Sequence, residues 1–131
     1  MSISQHAGLR IAANASALMA IGFGINALLR PAHALTFFEW ERPTTLPEQQ
    51  LVDSLLYVYG VRDIFWGLAI YIASAYGTRQ SLGLTIIAGS AVAFADGAIC
   101  YTWGHGEWGH WSYAPLHTAL GAALLGVFDR A

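Results

Sequence analysis

Long apolar runs restrict this chain more than any other feature of its sequence. Leu9 to Leu29 carries a single charge, Arg10, near its start and ends at Arg30-Pro31. Twenty-odd helical residues rising about 1.5 Å each cover roughly 30 Å, the thickness of a bilayer's hydrocarbon layer. Three further runs follow: Leu51 to Tyr76, Leu82 to Trp103, and a shorter one from Tyr113 to Phe128. Polar or Gly-rich segments separate them. These are the Pro-punctuated stretch 31–50, the turn Gly77-Thr78-Arg79-Gln80, and the Gly/His/Trp segment from Gly104 to Trp111, which reads as a loop. The expected fold is all-α, a single integral membrane domain over residues 1–131. Its helices would cover about 9–29, 51–76, 82–103 and 113–128 as a four-helix transmembrane bundle running up-down-up-down. Leu35, Phe37, Phe38 and Trp40 would form a short interfacial segment between the first two helices.

Charge agrees with that reading. The chain is 56% hydrophobic and 11% charged, against about 25% charged in a soluble domain whose surface must hold water. A soluble bundle that hides its apolar faces by oligomerising fits less well, because the runs are bilayer-length and nearly uncharged. A net charge of −2 offers no basic footprint for nucleic acid. The lone Cys100 excludes an intrachain disulfide framework. Ala32-His33-Ala34 has the small-residue form of a leader cleavage site; the first run is read here as a retained helix.

Short turns make successive helices antiparallel. The 31–50 and 104–112 connections then share one side of the bundle, the elaborate side, and the termini and the 77–81 turn share the other, plain side. Arg10, Arg79 and Arg130 stand on the plain side against Arg30 and Arg42 opposite, which points both termini to the cytoplasm. In the third run Gly89, Ala93 and Gly97, with Ala91 and Ala95 on an adjacent face, form a small-residue pattern that lets helices approach closely. Gly60, Gly67, Ala122 and Gly126 are expected to serve the same packing, within one copy or in a homo-oligomer.

Ionisable residues inside the runs carry the functional information. Arg62 and Asp63 lie in the second run, flanked by Tyr57, Tyr59 and Trp66; Asp96 lies in the third and His117 in the fourth. A charge at bilayer depth costs at least roughly 2.5 kcal/mol, so such groups face inward and find partners. Counted from the elaborate end, Arg62 is about 16 Å deep, Asp96 about 10 Å and His117 about 6 Å. Asn26 lies near the same end. With His33, Glu39, Glu41, His105, Glu107 and His110 in the connections, these residues describe a polar funnel opening to the elaborate side. No matching polar groups are expected in the plain-side half, which argues against ion conduction. Arg62 and Asp63 point about 100° apart on their helix, so Arg62 is expected to pair with Asp96 through a bidentate contact. Asp63 would then be free to exchange a proton. The structural alternative is an ion network that only fixes helix register.

His105, Glu107 and His110 match no standard zinc spacing, and no metal or other cofactor is expected. Trp103, Trp108, Trp111 and Tyr113 read as a headgroup-level aromatic belt or as a gate to a site. The chain has no nucleophile elbow, P-loop, dinucleotide fingerprint, Cys-x-x-Cys or lipidation box.

The stretch Tyr59-Gly60-Val61-Arg62-Asp63-Ile64-Phe65-Trp66-Gly67-Leu68, then Asp96-Gly97, then His110-Trp111-Ser112-Tyr113-Ala114-Pro115-Leu116-His117 resembles family 4267 of the domains of unknown function. Those are small four-helix membrane proteins of fungi and bacteria, and the resemblance runs from about residue 10 to 128. It implies the membrane fold and marks Arg62, Asp63 and Asp96 as the family's polar positions. It implies no activity. Related small membrane proteins near natural-product pathways imply a lipophilic substrate.

Two functions of different class fit these residues. One is an intramembrane acid/base enzyme, an isomerase or cyclase acting on a lipophilic small molecule. Asp63, Asp96, Arg62 and His117 would be catalytic, and Tyr59, Trp66, Asn26, Trp103 and Trp111 would contact the substrate. The other is a non-enzymatic lipid- or ligand-binding module, or a small subunit of a membrane complex.

Overall fold

The computed structural model describes residues 2–129, and the plain-side Arg130 lies outside them. The regular structure of the described residues is all helix, with no strand. Six helices succeed one another: α1 (Ala7–Leu29), α2 (Pro31–Leu35), α3 (Leu46–Tyr76), α4 (Arg79–Trp103), α5 (Trp108–Trp111) and α6 (Ala114–Leu124). Of these α1, α3 and α4 are long and apolar enough to cross a membrane. The fourth run is shorter than its sequence extent: α6 has 11 residues, about 16 Å, well below a bilayer crossing.

Local chemistry sets most of the boundaries. Pro31, Pro47 and Pro115 occupy the first or second position of α2, α3 and α6, where a missing N–H costs nothing. The Thr78 hydroxyl accepts from the Ser81 N–H at 3.1 Å and caps α4. At its other end Gly104 adopts φ 119°, a left-handed conformation, and its N–H returns to Cys100 O at 3.0 Å. The Gly-rich segment after it holds one helical turn, α5, where a loop was expected.

α1 packs along α3, and α4 packs along α6, while α3 and α4 meet more loosely. The α1–α3 seam depends on bare backbone. A Cβ added to Gly60 would lie 2.7 Å from Gly24 O, and one added to Gly67 would lie 2.6 Å from Ala17 O. The glycines of α4 serve otherwise than expected: Gly89 receives the indole of Trp66 and Gly97 that of Trp111. Ala91 and Ala95 are exposed.

Two apolar cores result. One joins Ala13, Ala17, Ile70, Leu82, Ile86 and Leu124 toward the plain end. The other joins Ala27, Ala34, Leu35, Phe38, Leu56 and Cys100 at the elaborate end. Leu35 and Phe38, expected in an interfacial segment, are only 5% and 8% exposed because α2 and the turn Thr36–Phe38 fold them under the end of the bundle. Large apolar side chains such as Ile11, Leu18, Phe65, Tyr76 and Ile99 remain outside, more area than a water-facing monomer tolerates.

Candidate functional site

The charged residues occupy the level between the two cores. Along α3 the order is Leu56, then Tyr59, Arg62, Asp63 and Trp66, then Ile70; along α4 it is Cys100, Asp96, Gly89, Ile86. Arg62 donates from both terminal nitrogens to Asp96, Nη1 to Oδ1 at 3.2 Å and Nη2 to Oδ2 at 2.7 Å. This is the fork geometry expected of that pair, stronger and more directional than a single contact. Asp63 stands only at 3.7 Å from Arg62 Nε. The ring of Tyr59, one turn before Asp63 on the same face, lies under the guanidinium at 4.6 Å from centroid to Cζ, a cation–π contact.

Pairing also corrects the depths. Arg62 lies 16 residues into α3, and Asp96 lies seven residues from the end of α4, yet the two touch. For antiparallel helices α3 therefore overshoots α4 at this end by about 13 Å. The overshoot is its polar beginning, which Arg42 ties down through Asp53 at 2.8 Å. The second helix thus starts at Leu46, before the expected Leu51.

His117 enters the same level through aromatic contacts. Its ring lies 5.6 Å from that of Trp66 and 5.6 Å from that of Tyr113, and its Nδ1 is 3.2 Å from Tyr113 O. Trp66 points its Nε1 toward Thr85 O at 3.5 Å. The other expected contact residues are elsewhere. Asn26 is engaged with His33, Oδ1 to Nδ1 at 3.1 Å. Trp111 leaves the expected aromatic belt: it is half-buried over Gly97 and donates to Phe94 O at 3.1 Å. Trp103 and Trp108 are exposed.

A cavity of about 760 Å³ opens at the elaborate end, within the usual size of small-molecule sites. Its walls are mostly apolar and aromatic, with Phe38, Trp40, Leu56 and Trp103 prominent; Glu39, Glu41 and His105 supply its ionisable groups. The expected polar funnel is therefore two separate features. Arg62, Asp63, Asp96 and His117 do not line the cavity, and neither do His33, Glu107 or His110. Tyr59 belongs to both: it lines the cavity, packs its ring 5.2 Å from Phe38, and carries the Arg62 guanidinium over its ring.

Sequence reading placed His110 in the polar funnel and Phe38 in the interfacial segment but missed that both are buried. His110 is 3% exposed, and neither ring nitrogen has a hydrogen-bond partner. It lies 5.1 Å from the Phe38 ring and 6.4 Å from that of Tyr113, and burial lowers its pKa below the usual histidine value. The signal for its burial was the aromatics around it in Trp108-Gly109-His110-Trp111. His105, by contrast, ties two connections together, its Nε2 standing 2.8 Å from Glu39 O. Among the described residues no three His, Cys, Asp or Glu side chains converge as metal ligands would.

Fold and charged level together describe a small all-helical protein with membrane-length helices and an ionic layer between apolar cores. The family model described as "Domain of unknown function (DUF4267)" matches residues 17–124, and the chain belongs to that family. No curated protein and no solved structure matches it.

Proposed function

We propose that this is an integral membrane enzyme that takes a lipophilic small molecule into the aromatic cavity and isomerises or cyclises it by proton transfer. The observation that carries the reading is the division of labour around one guanidinium. Asp96 holds the Arg62 fork, so Asp63 keeps only a 3.7 Å contact and retains free lone pairs beside Tyr59, a wall residue of the cavity. A carboxylate left incompletely paired within a membrane-length helix is costly, and such groups are by default functional.

In the proposed step the Tyr59 oxygen accepts a proton from a ligand carbon while passing its own to Asp63. Reversal of the relay returns a proton to a different carbon. One C–H bond breaks, another forms, and nothing else is consumed. Arg62, fixed by Asp96 and stacked on the Tyr59 ring, orients Asp63 for the relay, and His117 assists proton exchange from the Trp66 side. Trp103, across the cavity, contacts the apolar part of the ligand. In this reading α6 shares the membrane with α1, α3 and α4 as the short fourth member of an up-down-up-down bundle. The plain side, with Arg10, Arg79 and Arg130, faces the cytoplasm.

A second reading, a lipid- or ligand-binding module or a small subunit, is favoured by one observation. The Arg62 side chain is 41% exposed on the loose α3–α4 seam, where a partner or lipid would cover it. One experiment separates the two. Wild type, Asp63→Asn and Tyr59→Phe are produced in a host membrane, and lipophilic extracts are compared by chromatography and mass spectrometry for compounds of equal mass and different retention. The enzyme reading expects a conversion that both folded variants reduce by about a hundredfold or more. Conversion unchanged in Asp63→Asn overturns it. A compound that co-purifies with wild type unconverted favours the binding module.

A further inference from the structure

At the opposite end of the molecule a second cavity, about 330 Å³, is lined by Ser4, Gln5, His6, Arg10, Asn14 and Arg79 among others. Its composition inverts that of the first. No carboxylate stands in its wall, while two arginines do. Asp129, the acid beside it, is occupied: it accepts from the Ser4 N–H at 2.9 Å and from the Ser4 hydroxyl at 2.6 Å. Neither Arg10 nor Arg79 belongs to an ion pair among the described residues. Arg79 Nη1 is buried without a hydrogen-bond partner, and so is Asn14 Oδ1. A buried guanidinium N–H with nothing to donate to is costly, and an oxyanion would satisfy it. His6 is already oriented for the same task. Its Nδ1 accepts from the Gly8 N–H at 3.0 Å, so in the neutral ring the proton sits on Nε2, which remains a donor. α1 begins at Ala7 and α4 at Arg79, so the positive ends of two helix dipoles also meet here.

We infer that this cavity binds a phosphate group. Arg79 and Arg10 would hold its charged oxygens, His6 would donate a further hydrogen bond, and Asn14 Oδ1 would accept from a hydroxyl on the phosphate or beside it. Ile11 and Leu124, also in the wall, supply an apolar margin next to the cationic one. A membrane phospholipid headgroup and free phosphate share this chemistry. The site is independent of the reaction proposed at the other end, because none of its residues lines the aromatic cavity or joins the Arg62–Asp96 layer.

The test compares thermal unfolding of wild type, Arg79→Gln, Arg79→Lys and Arg10→Gln, with Arg30→Gln as a charge-matched control at the elaborate end. One arm titrates inorganic phosphate into detergent-solubilised protein. The other uses phosphatidylcholine nanodiscs with and without phosphatidic acid. Wild type and Arg30→Gln should be stabilised by at least one probe. Arg79→Gln and Arg10→Gln should each lose about tenfold or more in apparent affinity, and Arg79→Lys should fall between. Protection by both probes assigns the site to phosphate in general; protection by phosphatidic acid alone assigns it to lipid. If Arg79→Gln fails to fold, Arg10→Gln carries the comparison, since Arg10 is exposed. A wild type indifferent to both probes, or arginine variants that respond as it does, overturns the inference.

Discussion

Arg62 of α3 grips Asp96 of α4 with both terminal nitrogens, at 3.2 and 2.7 Å, across the loosest of the long-helix seams. An ion pair at that position does two things: it satisfies charges that neither helix can satisfy alone, and it fixes the height of α3 against α4. Packing alone would fix that height poorly, because few side chains interlock there.

The two single variants should therefore be worse than the double. Arg62→Met or Asp96→Leu leaves the partner charge stranded and should lose about 2–4 kcal/mol. Arg62→Met combined with Asp96→Leu removes both charges and should recover most of that loss. Unfolding in detergent micelles, measured as a double-mutant cycle, reads the coupling directly. Additive losses would show that the pair does not lock the seam.

The α1–α3 crossing gives a prediction with its own control. Gly60→Ala would drive a methyl to within 2.7 Å of Gly24 O and 3.0 Å of Ala27 Cβ, and because the obstacle is backbone the helices must part. A loss of about 1–3 kcal/mol is expected. Gly22→Ala, on the same helix as Gly24 but with nothing within 4 Å, should be neutral or gain a few tenths of a kcal/mol from helix propensity. Melting temperatures of the two variants should move in opposite directions or differ clearly in size.

The three membrane-length helices were legible in the sequence because an apolar run can be counted at a fixed helical rise. The relative depths of Arg62 and Asp96 were not, because they depend on how far α3 runs past α4. Arg62 and Asp96 could be matched as partners since few intramembrane charges were available to choose from. The burial of Phe38 and His110 was not legible. Both sit in connecting segments, where no periodicity reports which face is covered, and α2 and α5 are too short to show a pattern. The extent of α3 was misjudged for a related reason. Its first turn, with Pro47, Glu48 and Gln49, is polar and outside the apolar run, so hydrophobicity marks the membrane-length part of a helix and not the helix.

His110 makes stability depend on pH. It faces Phe38 and Tyr113 and feels opposing influences from Asp96 and Arg62, and burial dominates, lowering its pKa in the folded protein. The unfolded chain then binds the proton first, near pH 6.5. Stability from this group is complete above that value. It declines as pH falls below it, until the folded-state pKa is reached and the loss levels off. Titrating unfolding between neutral and acidic pH should show that decline in wild type. His110→Phe, which cannot be protonated, should flatten it.

Phe38 is the residue on which the elaborate end depends most, and Cys100 supplies a way to observe it. The Phe38 ring lies 5.2 Å from Trp40, 5.2 Å from Tyr59 and 5.1 Å from His110, so it forms at once the wall of the cavity, the support of the tyrosine under Arg62 and the cover of the buried histidine. Cys100, 0% exposed, belongs to the same core cluster. In the native protein a membrane-permeant maleimide can reach this thiol only when the end of the bundle opens, so labelling measures that opening. Phe38→Ala should cost about 3–5 kcal/mol and speed Cys100 labelling by orders of magnitude. Phe37→Ala, which truncates an exposed ring one position earlier, should leave labelling within a few-fold of wild type. Were the two variants labelled equally fast, Phe38 would not be the keystone of this end, and the cavity wall would have to be held by α2 and the connection to α3 instead.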